Sequence, residues 1–205
     1  MVSKKLLTNQ KHQEALLTMG ILLKWHSKTW EDFTNDPKAK SKVISYLSRL
    51  EEFKDRGVGI YLYGTNSVGK TMLMNLAFKA ILDTNKVKII SFSTLVDLYA
   101  GGWNDPESKV AFWKAIKEPE FLGIEEPGKE YPSNKGLSAT VLDTLLRYRT
   151  QMNLPTWFTS NIDPSKFKEV YTAGISEMLK ESTIPLLVTG ENMRDKVKAD
   201  LSKLL

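Results

Sequence analysis

The residues best suited to chemistry are the run Gly64-Thr65-Asn66-Ser67-Val68-Gly69-Lys70-Thr71, which fits the spacing G-x-x-x-x-G-K-[ST]. Glycines in such a run let backbone N–H groups turn inward around an anion, where a side chain would block the approach. A helix opening at Lys70 aims its positive dipole end at the same anion. The Lys70 ammonium then reaches the β- and γ-phosphates of a nucleotide, and the Thr71 hydroxyl is placed to ligate Mg²⁺. The spacing alone is short enough to arise by chance. Its context argues against chance, because the apolar run Ile60 to Tyr63 stands immediately before it and an apolar-striped helix follows.

About 50 residues later comes Phe121-Leu122-Gly123-Ile124-Glu125-Glu126, a mostly apolar strand ending in two carboxylates. Beside a phosphate loop, Glu125 would hold Mg²⁺ through water and Glu126 would orient and polarise an attacking water. Alone, an acidic pair after a strand reads as a solvated loop; the phosphate loop favours the functional reading. Thr159-Ser160-Asn161 closes a further strand. The Asn161 amide either contacts the γ-phosphate or attacking water, or caps the turn that follows.

These residues need a frame, and the rest of the chain supplies one. Short apolar runs at Ile60–Tyr63, Val87–Phe92, Phe121–Ile124, Thr156–Thr159 and Pro185–Val188 predict strands. Helical periodicity predicts helices over 70–83, through Leu95 to Leu98, and over 106–117, 138–151, 175–181 and 192–204. Strands alternating with helices call for an α/β fold with a parallel sheet and right-handed crossovers. A helix over 38–53 should bury Val43, Ile44, Leu47 and Leu50. Residues 1–35 differ in texture and read as a helical N-terminal extension, with 36–205 as the ATP-binding domain. Leu16, Leu17, Ile21, Leu22 and Trp25 are either a face that docks on a partner or one that packs on the chain's own core. Trp25 and Trp30 beside Lys24 and Lys28 can also stack on single-stranded bases, or be core and rim residues. Trp103 and Trp113 read as packing residues.

Composition narrows the chemistry further. The chain has no cysteine and two histidines, which excludes disulfides and a cysteine-ligated zinc site and disfavours any protein-only transition-metal site. No apolar run is long enough to span a membrane, and no signal peptide is read, so the expected location is cytoplasmic. The net charge of +5 is spread along the chain, which leaves nucleic acid and an ordinary basic surface both open.

With these residues assembled, the sequence resembles the DnaC/DnaI-type replicative helicase loaders and the related IstB transposition ATPases, of the AAA+ class. The resemblance runs from about Trp30 to Arg194 and rests on WEDF (30–33), GVGIYLYGTNSVGKT (57–71), FLGIEEPGKE (121–130), LLRYRTQMNLPTWFTSNI (145–162) and VTGENMR (188–194). LPTWFTSN is its most specific piece and is closest to the DnaI-like loaders. The resemblance implies a P-loop AAA+ three-layer sandwich with a five-stranded parallel sheet in the order 5-1-4-3-2. It also implies ATP and Mg²⁺ as cofactors and a ring-shaped replicative DNA helicase and single-stranded DNA as partners; self-association is left open. Lys70 and Thr71 match the Walker A pair, Glu125 and Glu126 the Walker B pair, Asn161 sensor 1, and Arg194 a sensor 2 arginine.

Three departures shape the expected function. Glu125 stands where the family usually has Asp, moving the metal-holding oxygen by about a methylene. About 35 residues stand where the DnaI type carries a zinc-bearing helicase-binding domain. Loaders usually place an arginine finger between sensor 1 and the last strand, yet no arginine occurs from Gln151 to Met193, and Arg147 and Arg149 match the family's YR element instead. A finger contributes roughly 10³ to 10⁵ in turnover where it operates. The expectation is a helicase loader with weak ATP hydrolysis. An IstB-like helper of transposition and an inhibitory mimic of a loader are the alternatives.

Overall fold

The computed structural model describes residues 12–128 and 135–195. Five strands of five residues each form the sheet: β1 Gly59–Tyr63, β2 Val87–Ser91, β3 Phe121–Glu125, β4 Thr156–Ser160 and β5 Thr183–Leu187. All neighbours pair in parallel, in the order β2-β3-β4-β1-β5, which is the expected order read from the other edge. Helices cover both faces, as a parallel sheet requires. Among the helices are α1 Pro37–Ser48, α2 Leu50–Asp55, α3 Lys70–Ile81, α4 Phe92–Gly101, α5 Pro106–Lys117, α6 Lys135–Gln151 and α7 Ala173–Ser182.

Strand alternation divides the interior into two cores. Ile60, Leu62, Ile89 and Trp157 face one side, where they meet Met72, Leu73, Leu76 and Phe78 of α3 and Val43 of α1. Tyr61, Leu122, Ile124 and Phe158 face the other, against Leu95 of α4, Ile116 of α5, Leu142 of α6 and Ile175 of α7. The helix starts follow local rules. Asp36 and Asp105 cap α1 and α5 through their carboxylates, each followed by a proline in the first turn.

Several boundaries differ from the sequence reading. The helix expected over 38–53 breaks at Arg49, and the break lets Phe53 stack on Tyr46 at 4.4 Å between ring centroids. The buried face of α1 is Ala39, Val43 and Tyr46, while Ile44 stands 44% exposed. Phe92 begins α4 instead of ending β2, because the Ser91 hydroxyl caps the helix. β5 begins two residues before Pro185. Trp103, expected to pack, is 69% exposed on the turn after α4, with its ring edge on Tyr99. Of the helix expected over 192–204, residues 193–195 are helical, Asn192 precedes the helix, and 196–204 lie outside the described residues, as do Lys129 and Glu130 of the FLGIEEPGKE piece.

The N-terminal stretch is not one continuous helix. A helix over 12–18 ends in a turn in which Ile21 N–H reaches Leu16 C=O and Gly20 N–H reaches Leu17 C=O, with Gly20 at φ 83°. This C-terminal motif folds Ile21 back onto Leu16. Both are fully buried in the α3-side core, whereas Leu17, Leu22 and Leu23 remain exposed. Burying two such side chains contributes about 1.5–3 kcal/mol each. The exposed Lys28–Asp32 ion pair adds little by comparison, so apolar burial holds this stretch. Met19 C=O also accepts from Ile89 N–H, covering part of the β2 edge. At the opposite edge, β5 carries Pro185 in mid-strand.

Arg149 ties the lower ends of these elements together. Its buried guanidinium donates to the carbonyls of Ile116, Pro119, Glu120 and Pro155 and to the Thr156 hydroxyl, at 2.8–3.1 Å. Burial pulls its pKa down to about 9, which still leaves it charged at neutral pH. Removing it would strand several buried acceptors at once. Arg149→Ala should therefore lower the unfolding free energy by about 3 kcal/mol or more. Arg147→Ala, which removes an exposed pair with Asp143, should leave the urea midpoint in place. Urea denaturation of both variants checks the contrast.

Candidate functional site

The loop from β1 to α3 closes over the carboxyl ends of three strands. Gly64, Ser67 and Gly69 all have positive φ, at 145°, 64° and 104°. Gly69 is the N-cap of α3, and a Cβ there would lie 2.6 Å from the Phe33 ring and 3.0 Å from Met193 Sδ. No side chain fits. The turn is thus held open toward the cavity by packing from behind.

Lys70 is 8% exposed and donates to Gly64 C=O at 2.8 Å, Thr65 C=O at 2.6 Å and Asn161 Oδ1 at 2.8 Å. Because an ammonium only donates, Asn161 must present its oxygen to Lys70. Its N–H₂ therefore faces the other way, toward Asn66 Oδ1 at 2.7 Å. Sheet register brings these groups together. Tyr63 pairs with Ser160, so Asn161 leaves β4 beside the loop. Glu125 pairs with Thr159, and the Glu126 N–H donates to Thr159 C=O at 2.8 Å.

A cavity of about 370 Å³ lies among these residues, a size suited to a small ligand. Asn66, Ser67, Gly69, Lys70 and Thr71 form its floor, with Glu126, Thr159 and Asn161 at one side and Met193 and Arg194 at another. Gly64 and Thr65 contribute carbonyls to Lys70, and Val68 is buried beneath the loop. Glu125 stands behind the wall at the end of β3. Burial raises its carboxyl pKa, with the charge of Glu126 adding to the effect.

The donor set fits a phosphate-bearing ligand with a bound cation. The buried Thr159 hydroxyl, beside the cavity, has no hydrogen-bond partner among the described residues. Among the described residues no cluster of three or more His, Cys, Asp or Glu forms a metal site by itself. A magnesium ion held by one or two carboxylates and a hydroxyl takes the remaining ligands from phosphate and water. Thr71 and Glu125 are the residues that would hold it here.

The sequence reading missed most of the remaining wall. Lys24, Trp25, Lys28 and Asp32 line the cavity from the N-terminal stretch, with Lys24 Nζ 4.7 Å from the Trp25 ring centroid. What holds them there is Lys79 of α3, whose ammonium donates to the carbonyls of Trp25, His26 and Lys28 at 2.6–3.0 Å. Burial lowers the pKa of that ammonium. A lysine among the apolar residues of α3 was the available signal. Asp36 adds a second attachment, accepting from the Thr189 N–H and hydroxyl at 2.9 Å while capping α1.

No protein-family model matches the chain. It is 26% identical over 211 residues to the replicative helicase loader DnaI of Bacillus subtilis (strain 168), covering 94% of this chain and 67% of that protein. A crystal structure of DnaI superposes with a TM-score of 0.66 at 25% identity, covering 80% of this chain and 92% of that one. The DnaC helicase loader superposes with a TM-score of 0.68 over 82% of this chain and all of that one, at 14% identity, a likeness of fold. In sequence and in fold, the chain resembles the DnaC/DnaI-type AAA+ loaders along most of its length.

The Asp36 contacts make an acid-sensitive attachment. Burial alone would raise this carboxyl, but the N–H groups of Ala39 and Thr189 and the Thr189 hydroxyl outweigh it and hold the pKa below the ordinary 3.8. A depressed carboxyl stabilises the fold above its unfolded pKa, and the contribution is lost as pH falls through the folded value. Asp36→Asn should therefore be less stable than wild type at pH 7, with the gap narrowing as pH drops below 3.8. Denaturant titrations of both proteins across that range check it.

Proposed function

We propose that this chain is an ATP-binding helicase loader that engages a ring-shaped replicative DNA helicase and helps place it on single-stranded DNA. The observation that carries the reading is the meeting of Lys70, Thr71, Glu126 and Asn161 around one cavity at the ends of β1, β3 and β4. The similarity to DnaI supports the loader role, and a cytoplasmic location goes with it.

In this reading the loop amides and the N-terminus of α3 receive the phosphates. Lys70 exchanges its loop carbonyls for phosphate oxygens. Thr71 and Glu125 would hold Mg²⁺, which would supply neutralisation of phosphate charge when bound. Glu126 holds the attacking water and takes up its proton, and Asn161 orients that water or the γ-phosphate. Arg194 offers a guanidinium from the cavity rim. The described N-terminal wall, with Trp25 and Met72, is left to meet the base.

Hydrolysis should be slow. Arg49 and Arg56 pair with Glu52, Arg147 pairs with Asp143, and Arg149 is buried among carbonyls. Lys180 lies where loaders carry a finger, but it pairs with Glu177 and lacks a two-pronged donor. Arg194 is the chain's remaining arginine. ATP then acts chiefly as an assembly switch, with stimulation by helicase or DNA.

For single-stranded DNA, the supporting feature is the cleft between α4 and α5. Tyr99, Trp103, Phe112 and Trp113 line it together with Lys109. Lys117 Nζ lies 4.4 Å over the Trp113 ring and 5.1 Å over Tyr148. Aromatic faces stack bases and lysines meet phosphates, without sequence preference.

Lys70→Ala should weaken binding of a fluorescent ATP analogue roughly 10- to 100-fold, the effect of losing a charge-assisted contact. Unchanged affinity would remove the nucleotide assignment. Glu126→Gln should keep that affinity and lower single-turnover hydrolysis by about 10²-fold or more. Specific ATPase activity should stay flat as protein concentration rises and increase when the cognate helicase is added. Trp103→Ala should weaken single-strand binding at low salt without changing ATP affinity. Pull-down of the helicase distinguishes a loader from a transposition helper.

A further inference from the structure

Asn35 lies in the N-terminal stretch, outside the cavity, and makes three hydrogen bonds to two distant segments. Its Nδ2 donates to Val68 C=O of the phosphate loop at 3.1 Å and to Glu191 C=O at 2.7 Å, while its Oδ1 accepts from Glu191 N–H at 3.2 Å. Only an amide of this length supplies two donors and an acceptor at once. Aspartate would lack the donors, and serine has a single one. The backbone facing Asn35 is shaped to this side chain. Gly190 has φ 128°, and a Cβ there would lie 2.5 Å from Asn35 Nδ2 and 2.6 Å from its Cγ.

The segment so gripped leads directly to the cavity rim. Val188 N–H donates to Tyr63 C=O at 2.8 Å, and Met193 N–H donates to Ser67 C=O at 2.9 Å. Arg194 follows, lining the cavity, with its N–H on Asn192 Oδ1 at 3.0 Å. The loop carbonyls at 67 and 68 are thus held by Met193 and by Asn35, and Asn35 holds Glu191 with the same amide.

We infer that Asn35 is a positioning residue that couples the phosphate loop to the placement of Arg194, so that a ligand settling the loop also sets the arginine. This inference rests on the loop being a nucleotide site. If the loop peptides at Ser67 and Val68 rotate to meet phosphates, the Val68 carbonyl rotates with them. Asn35 passes that motion to Glu191 and on to Arg194. Because the amide is shared, the loop and the 189–194 segment cannot shift independently without breaking one of its bonds.

The test is a double-mutant cycle on affinity for a fluorescent ATP analogue, with hydrogen exchange of the 189–194 amides as a second readout. Asn35→Ala should weaken binding about tenfold in the wild-type background, and by less than about twofold when Arg194→Ala is already present. In wild type the analogue should slow exchange at Glu191 and Met193; in Asn35→Ala that slowing should vanish. A purely structural role predicts equal weakening in both backgrounds and retained slowing, and either result overturns the inference. Unchanged affinity in Asn35→Ala overturns it too. Should that variant not fold, Asn35→Asp keeps the size and the Glu191 acceptor while losing both donors, and it carries the same cycle. Lys70→Ala is run alongside. If it leaves analogue binding intact, the nucleotide reading fails; if it abolishes binding, a negative cycle counts against Asn35 alone.

Discussion

A loop that turns its N–H groups inward must turn its carbonyls outward, and each of those needs a donor. Much of this structure answers that requirement. Lys70 serves Gly64 and Thr65, Met193 N–H serves Ser67, Asn35 serves Val68, and Leu73 N–H serves Gly69 from within α3. Two of these donors come from outside the central run of strands and helices, one before it and one after. The segments flanking the sheet are therefore not appendages. They complete the hydrogen bonding of the loop between them, and in doing so they become two walls of the cavity.

The same device recurs wherever backbone ends collect. Lys79 gathers three carbonyls at the end of the short Leu23–His26 helix, and Arg149 gathers four at the base of the sheet. The hydrogen bonds of Lys79 and Arg149 go to carbonyls, with one to a hydroxyl, and not to carboxylates. Dipole ends of short helices and turns supply the negative charge instead. The excess of basic residues over acidic ones is thus partly structural, which tempers any reading of the net charge as a sign of nucleic acid. A sharper feature is local: Lys117 stands over the half-buried Trp113 ring beside the α4–α5 cleft.

What could be read from the sequence was what short range determines. The glycine turn between β1 and α3, the five strands and their parallel arrangement are legible because glycine spacing and apolar runs record local geometry, and α5 falls on 106–117 as periodicity predicts. Asn35 and Asp36 find partners 33 to 156 residues away, which leave no local trace in the sequence. Periodicity misled at the N-terminus, where Leu16 and Ile21 meet through a reversed turn and not along one helix face. It misled again at Ile44, one position off the buried stripe of α1. The Trp103 exposure had no signal beyond the Gly101-Gly102 pair that ends α4.

The β5 edge, which pairs with no further strand among the described residues, has a consequence for how the molecule keeps to itself. Val188 N–H points to β1, so the N–H groups of even-numbered residues along β5 face inward and those of odd-numbered residues point away from β1. Pro185 falls on the outward set, where its ring removes a donor that a foreign strand would need. Ile184 and Leu187 make this rim greasy, the combination that invites sheet-on-sheet aggregation during synthesis. A single imino acid at the midpoint of a five-residue strand makes the rim a poor template, leaving one outward N–H on either side.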